Sequence, residues 1–489
     1  MLCYAHMRVA KIIAVCAVFA WSAYLLAQKI DLTTADVGRH IKNGELMVTG
    51  DTETRRAILS ENFYSYTAPD APFLNHHWGT GVVFYLVHRV AGFTGLHLFF
   101  LLLFLLALFF VFDTARRVAG VWVACALLLF LFPLIAVRSE VRPEVFSYLF
   151  STFFVWMLYR HVRGELSYRW LYVLPIVSLL WVNLHIGFVF GISITGIFLA
   201  FYRTKPLVWA FAGVSLVALA NPAGLAGVLY PLQIFKEYGY RVLENQSVWF
   251  LENLGLRTGY DFLLFKIAAV LVIVSCLSGL FYSHLLKNLR MREGGAFGVL
   301  ALVFGTLAAL GVRHFPSFAL VALPFLALVL SRALARAREW GIVFFVALAV
   351  FGVWRSVELQ SRRGTPGVGL APGVEAAGEF LRDYPLAGPI FNNYDIGGYL
   401  IYFLAPHIKV FTDNRPEAYP PRFFDDMYIP AQERAEAFDA LDAQYQFGAI
   451  VFQYRDATPW AQTFLRRAVA DKRFEQAFAD GRVVILVRK

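Results

Sequence analysis

The chain has 489 residues, of which 59% are hydrophobic and 16% are charged, and its mean hydropathy is +0.58. This composition excludes an ordinary soluble protein, because apolar runs long enough to cross a bilayer recur through most of the sequence. The net charge of +10 could indicate a nucleic-acid binder. We exclude that interpretation because the basic residues fall in short loops between apolar runs, where they set membrane orientation. The four cysteines form no CxxC pair, which argues against a disulfide framework or a zinc site.

Recurring apolar runs predict about eleven membrane-spanning helices, since several runs reach the roughly 18–20 residues that a span needs. The first run follows Arg8 and Lys11 and has no clear cleavage site after it, so we predict a retained helix. The shorter run at 78–93 contains glycines and charges, and we predict an interfacial or re-entrant helix there. The predicted spans lie at 9–28, 97–114, 119–137, 145–160, 170–184, 187–202, 206–221, 262–284, 295–311, 315–331 and 340–355.

The charges of the loops predict which side of the membrane each loop occupies. Every loop on one side is rich in Lys and Arg, from Arg8 and Lys11 before the first span to the loop before the last. By the positive-inside rule that side is the cytoplasm, so we predict a cytoplasmic N-terminus. The other side then holds the long segments 29–96 and 222–261 and the whole C-terminal part of the chain.

From about residue 359 the composition is mixed, which predicts a soluble domain of about 130 residues after a linker at 360–372. Apolar strand-like runs lie at 389–391, 408–412, 449–453 and 483–487. Helix-like segments lie at 373–383, 396–404, 431–444 and 459–472. Their alternation predicts a small α/β domain with a largely parallel sheet. The predicted fold is therefore a polytopic α-helical membrane domain, 1–358, followed by an extracytoplasmic α/β domain, 359–489.

Polar and ionisable residues at the predicted outer surface are candidates for function, because they are costly near a bilayer unless they are solvated or paired. They come from many separate loops, whereas the inner loops carry almost only Lys and Arg. The segment 31–44, directly after the first span, supplies Asp36 and His40 as the candidate catalytic residues. The candidates for substrate binding are Asp31, His76, His77, Glu140, Arg142, Glu144, Asn183, His185, Asn221, Arg313 and His314. The loop 222–261 adds Lys236, Glu237, Arg241, Glu244 and Glu252.

Each of these groups also has a structural interpretation. Asp36 and His40 are four residues apart and could form an exposed pair on one helix face. The histidines before Trp78 could accompany an interfacial anchor, the motif RSEVRPE at 138–144 could be a salt-bridged helix cap, and Arg313 could extend to the lipid headgroups. No spacing such as HExxH accompanies the histidines, so they are only a weak indication of metal binding.

Two segments of the C-terminal domain follow predicted strands, which is a common position for binding loops. FNNYDIGGYL supplies Asn393 and Asp395, and KVFTDNRPE supplies Asp413 and Arg415. The glycine pair in the first segment allows a tight turn or the close approach of a ligand. The four residues are candidates for binding an acceptor, with a purely structural role as the alternative.

Motifs spread over nearly the whole chain resemble those of a bacterial group of polytopic proteins within the GT-C class of membrane glycosyltransferases. The motifs are DVGRHIKNGE (36–45), FYSYTAPDAPFLNHHW (63–78), RPEVFSYLF (142–150), WVNLH (181–185), NPAG (221–224), RHFPSFALVALP (313–324), NNYDIGGYLIY (392–402) and VFTDNRPEAY (410–419). The order of elements is similar as well: a first span, a long outer loop with an acidic motif, many further spans and an outer soluble domain.

The resemblance implies an inverting transfer of a sugar, of the hexosyl or a related type, from a polyprenyl-phosphate or polyprenyl-diphosphate carrier. The acceptor would be a glycan, lipid or protein at the outer face of the bacterial cytoplasmic membrane, and no nucleic acid is implied as a partner. Asp36 matches the acidic residue that deprotonates the acceptor hydroxyl or orients it, and a divalent cation bound by Asp36 is considered as a cofactor. Thr34 stands where the class often has a first acidic residue.

The residues are compatible with such a reaction, because Asp36 could serve as a base within ~3 Å of the acceptor proton. Arg142, Arg313 and Arg138 could hold the phosphate, and an apolar groove between helices could take the lipid tail. Two other functions stay open: a lipid or polysaccharide transporter or flippase, and a catalytically silent GT-C-like assembly protein. A transporter should carry ionisable residues at mid-bilayer, and Lys266 is the only clear charge inside a predicted span.

Overall fold

The computed structural model describes residues 2–234, 239–255, 261–283, 289–335, 338–363 and 365–489. Lys236 and Glu237, which were named from the sequence, lie outside these residues. The first three quarters of the described chain are helical, with 3-10 segments at Tyr168–Tyr172, Ile186–Phe188 and Val312–His314. The helices are α1 (Leu2–Leu26), α2 (Val37–Thr49), α3 (Thr52–Ser60), α4 (Trp78–Ala119), α5 (Val121–Ala136), α6 (Glu144–Val162), α7 (Val173–Leu184), α8 (Val189–Tyr202), α9 (Lys205–Val217), α10 (Gly224–Gln233), α11 (Val248–Asn253), α12 (Phe262–Ser283), α13 (Leu289–Leu310), α14 (Phe315–Ala333) and α15 (Arg338–Ser361).

A helix lies at the position of each predicted span. Among the described residues, five helices are long and apolar enough to cross a membrane: His6–Leu26, Trp78–Ala119, Arg292–Leu310, Val312–Ala333 and Glu339–Ser361. Shorter apolar helices lie at Val121–Ala136, Tyr168–Leu184, Ile186–Tyr202, Lys205–Val217 and Phe262–Ser278. Together with α6 these helices account for the predicted positions, and the number that cross the bilayer stays a prediction.

The helix α4 combines the predicted interfacial helix with the span that follows it. Its backbone turns at Gly92, where φ is +61°, a value that favours glycine. Before this kink α4 packs closely on α2, because a Cβ added to Gly44 would lie only 1.9 Å from the Gly81 carbonyl oxygen. The paired glycines therefore allow α2 to lie directly against the first part of α4.

The helix α14 lies at the centre of the helical part. Every residue from Phe315 to Leu328 is buried, as expected for a helix that is apolar on all sides. It packs against α4, α5 and α13. Its N-terminal end, which follows Arg313 and His314, points to the same side as the start of α6.

The C-terminal part contains one sheet with helices around it. Its helices are α16 (Ala376–Asp383), α17 (Gly397–Leu404), α18 (Ile429–Glu433), α19 (Ala435–Tyr445) and α20 (Pro459–Ala470). Its strands are β1 (Ile390–Asn392), β2 (Ala449–Gln453), β3 (Phe474–Ala479) and β4 (Val483–Arg488), in the spatial order β1-β2-β4-β3. Strand β2 is fully buried, and Phe391, Phe447 and Phe464 pack over it as part of an aromatic core.

The prediction of a largely parallel sheet was wrong. Only β1 and β2 are parallel, with Ile390 opposite Ala449, whereas β4 is antiparallel to both β2 and β3. The predicted strand 408–412 lies outside the sheet: the Val410 amide donates to the Tyr64 carbonyl at 2.9 Å, so this run is buried by pairing with the first outer loop. Strand β3 was missed because its sequence, FEQAFA, does not alternate between apolar and polar residues, and three of its six residues are exposed.

Backbone pairing joins the C-terminal part to the start of the chain. The Lys29 amide donates to the Thr365 carbonyl at 3.0 Å, and the Ile30 amide donates to the Gly369 carbonyl at 2.9 Å. In addition, α17 packs against α2. These contacts place the C-terminal part directly over the segment that contains Asp36.

Candidate active site

Asp36 lies at the start of α2, in the segment that follows α1. Its backbone carbonyl accepts a hydrogen bond from the His40 amide at 3.1 Å. Its side chain makes no capping bond and instead accepts at Oδ1 from the side-chain amide of Asn414. The other oxygen, Oδ2, lies 3.3 Å from Nη1 of Arg142, and the side chain is 20% exposed. The carboxylate is therefore held at both oxygens and still reachable from solvent.

The surroundings make Asp36 a stronger base than a free carboxylate. Burial raises the pKa of its carboxyl group, although the guanidinium groups of Arg142 and Arg39 act in the opposite direction. A carboxylate with a raised pKa takes up a proton more readily, and this is what a general base must do.

Arg39 and Asn414 were not singled out from the sequence, and together with Asp36 and Arg142 they form what we call the Asp36 cluster. Nε of Arg39 donates to Oδ1 of Asn414 at 3.1 Å, so one amide group joins the arginine to the aspartate. Within the described part of the chain, the terminal nitrogens of Arg39 form no hydrogen bond or ion pair, although the residue as a whole is 5% exposed. Arg39 is therefore a cation that can meet an anionic ligand. The sequence indicates Arg39 only as an arginine on the predicted outer side, where the positive-inside rule expects few basic residues.

Asn414 reaches Asp36 because its two neighbours point the other way. Asp413 and Arg415 turn into the C-terminal core, while Asn414, which lies between them, points toward α2. A Cβ added to Gly397 would lie 2.4 Å from the Thr412 carbonyl oxygen, so the glycine lets α17 lie against this segment. The glycine pair of the motif thus serves close packing of two backbones.

A second group of charged residues borders the Asp36 cluster, and we call it the ionic cluster. It comprises Arg138, Arg142, Arg313, Glu140, Glu144 and Glu244. Arg138 is almost fully buried and donates to Glu144 at 2.6 Å and also to Glu244. Burial would raise the pKa of Glu144, but Arg138 and Arg313 outweigh it and hold that pKa well below its usual range. Arg138 is therefore committed to two carboxylates, in contrast to its predicted role on a phosphate.

Arg142 links the two clusters. Its Nε donates to Glu140 at 2.6 Å, and its Nη1 lies 3.3 Å from Asp36 and 3.5 Å from Glu244. Arg313 belongs to the same ionic cluster. Its Nη1 donates to Asn245 at 2.9 Å, and its Nη2 lies 3.4 Å from Glu144. The structure thus brings the predicted residues Glu140, Arg142, Glu144 and Arg313 together beside Asp36.

Histidines form a row that begins at His40 on α2 and continues through His77 to His185. The centre of the His77 ring lies 5.4 Å from that of His40 and 5.1 Å from that of His185. The His76 ring is tilted against His77, with the ring centres 3.9 Å apart. Nδ1 of His185 accepts from the Gly187 amide at 3.0 Å, so its proton resides on Nε2. Nε2 of His77 and of His185 and Nδ1 of His40 are buried without partners among the described residues. The row therefore offers hydrogen-bonding groups that no protein atom uses.

Acidification is expected to destabilise the protein through these histidines. Burial lowers the pKa of His185 to about 4 and holds the pKa values of His40 and His77 well below their usual range. Their unfolded-state pKa is about 6.5, so the unfolded chain binds more protons below that pH, and stability falls as the pH drops toward 4. At pH 5 the loss for His185 alone is about 2 kcal/mol.

Thermal unfolding of the purified protein at pH 7 and pH 5 measures this loss. We expect a lower midpoint at pH 5, and a smaller difference between the two pH values for His185→Gln. His407 is exposed and serves as the matched control, so His407→Gln should keep the wild-type difference. An equal midpoint at both pH values in the wild type would contradict the buried, neutral state of the row.

The other predicted outer residues lie outside the two clusters and the row. Asn183 accepts from the Trp78 indole at 3.1 Å and donates to the Ala220 carbonyl at 2.9 Å, so it ties three elements together. Asn221 bonds within its own turn. Asp31 accepts from Thr33 at 2.6 Å and faces a separate cavity. The His314 ring lies 6.3 Å from that of Phe190.

The C-terminal candidates divide into one residue near Asp36 and three inside the fold. The surrounding protein raises the pKa of Asp395, and the carboxylates of Asp456 and Asp36 raise it further, so Asp36 is within electrostatic range of this exposed side chain. The side chain of Asn393 donates to Asp456 at 2.8 Å and is fully buried. The Asp413–Arg415 pair is also buried, with all of its contacts inside the protein.

The residues around Asp36 do not form a site for a divalent cation. Both of its carboxylate oxygens face nitrogen donors, from Asn414 and Arg142, whereas a cation needs free oxygen ligands. Across the described ranges, no group of three or more His, Cys, Asp or Glu side chains is arranged to hold a metal ion. We therefore assign no part of the reaction to a metal.

No protein-family model matches the sequence, and no match is found among curated proteins. Solved structures do match. The oligosaccharyltransferase AglB from Archaeoglobus fulgidus, in complex with an inhibitory peptide and a dolichol-phosphate, superposes with a TM-score of 0.61 at 13% identity, over 94% of this chain and 72% of AglB. The same enzyme tethered to an acceptor peptide gives a TM-score of 0.59 at 14% identity, over 93% of this chain and 71% of that one.

ArnT from Cupriavidus metallidurans in the apo state covers 99% of this chain and 98% of its own, at 13% identity and a TM-score of 0.43, which is too low to support a conclusion. The likeness to the Archaeoglobus fulgidus oligosaccharyltransferases, at 13–14% identity, shows the fold alone: the chain shares their fold, and the predicted resemblance in fold is confirmed.

Proposed function

We propose that the chain is a membrane glycosyltransferase that moves a sugar from a polyprenyl-phosphate carrier to an acceptor outside the cytoplasmic membrane of a bacterium. The observation that carries this proposal is the Asp36 carboxylate, open to solvent beside Arg39 and Arg142. A base next to cations suits sugar transfer from a phosphate leaving group. Because one fold can host several functions, the proposal is based on these residues. The GT-C fold and the dolichol-phosphate bound to AglB support it.

In the proposed reaction the acceptor oxygen bonds to the anomeric carbon of the sugar as the bond from that carbon to the phosphate oxygen breaks. The bonding electrons leave on the phosphate, and the acceptor proton passes to the Asp36 carboxylate. Attack opposite the leaving phosphate inverts the configuration at the anomeric carbon. Asn414 and Arg142 hold the two oxygens of Asp36, so the base is oriented before the acceptor arrives.

We assign the leaving phosphate to Arg39 and Arg142. Arg39 has terminal nitrogens without protein partners among the described residues. Arg142 shares its charge among several carboxylates and is partly exposed, so it can also turn to a phosphate. Both arginines lie near Asp36, which places the developing negative charge close to cations while the base takes the proton. Arg138 instead supports Glu144 and Glu244.

The histidine row and Asp395 are the groups that we propose for the sugar and the acceptor. His40, His77 and His185 are neutral, and each has a ring nitrogen without a partner within the described residues. Sugar hydroxyls both donate and accept hydrogen bonds, so neutral imidazoles suit them. Asp395 is exposed near Asp36 and can accept a hydrogen bond from the acceptor.

The proposed orientation puts these groups on the outer side of the membrane. By the loop charges the N-terminus is then cytoplasmic. The change in composition near residue 359 divides the chain into a membrane domain, 1–358, and an extracytoplasmic domain, 359–489. The acceptor would reach Asp36 from the extracytoplasmic side, and the carrier lipid from the bilayer.

The test of the function is a transfer assay with the purified full chain in liposomes. The liposomes contain polyprenyl-phosphate carrying a radiolabelled hexose, and extracts of envelope glycans, lipids and proteins serve as acceptors. We expect label to pass to one acceptor class. Label that moves across the bilayer without transfer would instead indicate a transporter, and the absence of both would indicate an assembly protein. Either result would overturn the proposed function.

Replacing Arg39 by glutamine is expected to weaken donor binding. The variant loses one charge-assisted contact to the phosphate, so KM for the lipid-linked donor should rise about tenfold, with a smaller change in kcat. Steady-state kinetics at varied donor concentration separates the two constants. Arg39→Lys should keep part of the affinity because it keeps the charge, and Arg382→Gln, an exposed site elsewhere, is the matched control. An unchanged KM in Arg39→Gln would contradict the assignment.

A further inference from the structure

A second candidate binding site is the cavity that Asp31 faces, where α1, α15 and the C-terminal part meet; we call it the second cavity. It has a volume of about 790 Å³, which is within the usual size of ligand sites. The last turns of α1 and α15 form one wall, through Trp21, Tyr24 and Val357. No member of the Asp36 cluster lines it. The cavity is therefore separate from the candidate active site.

Basic side chains from separate segments converge on this cavity. Lys29, Arg363, Arg455 and Arg482 line it, and Asp31 is the acidic residue among the lining side chains. Arg482 lies 3.7 Å from Asp31, and Arg363 donates to the Ser139 hydroxyl at 3.2 Å. By formal charge, four cations face one carboxylate.

Among the residues that the structure describes, Lys29 and Arg455 have no partner for their charges. Neither side chain makes a hydrogen bond or an ion pair with any residue that the structure describes. By contrast, Arg355 in α15 pairs with Asp261 at 2.6 Å, and Arg362, directly after α15, pairs with Glu358. Two unpaired cations facing one cavity indicate an anion as the missing partner.

The wall that carries Lys29 is held in place by the backbone. On either side of this residue, Gly367 donates to the Ala27 carbonyl at 2.9 Å and Ala371 donates to the Ile30 carbonyl at 2.8 Å. The side chains of Gln28 and Gln360 also bond at 2.8 Å and join the ends of α1 and α15. The cations therefore project from a framework that is formed before any ligand binds.

The position of the cavity favours a lipid as the source of the anion. Trp21 and Tyr24 lie in the last turns of an apolar helix, and such residues mark the headgroup level of a membrane. The outer side of a membrane protein is usually poor in basic residues, so four of them here need a specific reason. A phosphate group with an apolar tail meets both the cations and the aromatic wall.

We propose that this cavity binds the phosphate group of an anionic membrane lipid, with Lys29 and Arg455 as its principal contacts. The site goes beyond the proposed transfer reaction and does not depend on it. Asp31, which the sequence placed among the substrate-binding residues, would there orient Arg482. The shared chemistry is a phosphate group, and the source is distinguished by experiment.

The test measures binding of dioctanoyl phosphatidylglycerol to the purified full chain in detergent by thermophoresis. We expect Lys29→Gln/Arg455→Gln to weaken this binding by about tenfold or more. The charge-conserving Lys29→Arg/Arg455→Lys variant should bind as the wild type does. Arg382→Gln/Lys472→Gln removes the same charge from exposed positions outside the cavity and should also bind normally.

Two further probes identify the source of the phosphate. Dioctanoylglycerol, which lacks a phosphate, should not bind. Inorganic phosphate that fails to compete assigns the site to a lipid headgroup, and inorganic phosphate that competes at equal concentration assigns it to the free anion. Equal affinity for phosphatidylglycerol in the wild type and in Lys29→Gln/Arg455→Gln overturns the proposal, and so does an equal loss in the exposed control variant.

Discussion

The Asp36→Asn variant is expected to lose transfer activity by about a hundredfold or more while it folds and inserts normally. Loss of a positioned general base costs about 10²–10⁴ in rate. Asparagine has nearly the same shape and can still accept the hydrogen bond from Asn414, but it cannot take up the acceptor proton. The rate of sugar transfer by purified protein measures the effect, and the thermal unfolding midpoint confirms that the variant is folded.

Asp31→Asn is the matched control for this prediction. Asp31 belongs to the same outer segment and is also partly exposed, but its contacts are Thr33 and Arg482. We expect it to keep wild-type transfer activity, because it lies in the second cavity. Wild-type transfer by purified Asp36→Asn protein would refute the role of Asp36, even if the chain proved to be a transferase.

Replacing Arg415 by methionine is expected to cost about 3–5 kcal/mol of stability, because it leaves Asp413 as a buried charge without its main partner. The guanidinium group donates twice to Asp413, each time at 2.7 Å, and once to Asn62 at 2.8 Å. It also lies 4.7 Å from the centre of the Phe73 ring. Arg415 is 2% exposed and Asp413 is 0% exposed, so water cannot replace these contacts.

Chemical or thermal unfolding of the full chain measures the cost of Arg415→Met. The exposed Arg382→Met should change stability by less than about 0.5 kcal/mol. Because Asn62 and Phe73 belong to the first outer loop, we also expect that loop to become more accessible to protease in Arg415→Met. If Arg415→Met has normal stability but no transfer activity, the structural role is contradicted and Arg415 becomes a candidate for the active site.

The helical part was largely predictable because the signals for a membrane helix are local. Length and apolarity of a single run identify a span, so a helix was found at each predicted position. The sequence did not show that the interfacial helix and the next span form one helix, α4. That depends on the backbone conformation of a single residue, Gly92. The C-terminal sheet was harder, because the burial of 408–412 results from pairing with residues of the first outer loop.

The site was predictable as a region and only in part as a set of residues. Loop charges placed Asp36, Arg142, Glu144 and Arg313 on one side of the membrane, and the structure brings them together. Which of these side chains bond to each other could not be predicted, since that depends on contacts between segments that are distant in the sequence. Asn414 is 378 residues from Asp36, and its direction is set by how its neighbours pack.

The sequence also does not show whether a charged side chain is paired within the protein or is left for a ligand. Arg138 and Arg39 are both outer arginines near helix ends, and both are nearly buried. Arg138 is committed to two glutamates, whereas Arg39 keeps its terminal nitrogens without protein partners in the described part of the chain. The sequence does not show which terminal nitrogens find a carboxylate in space, and this pairing is what distinguishes Arg39 from Arg138.

The most direct measurement of the central claim is an experimental structure of the purified protein with bound polyprenyl phosphate. We expect the phosphate within about 4 Å of the guanidinium groups of Arg39 and Arg142, on the side of Asp36 that is open to solvent. A phosphate bound only beside Lys29 and Arg455, or on the side of the basic loops, would contradict a transfer site at Asp36.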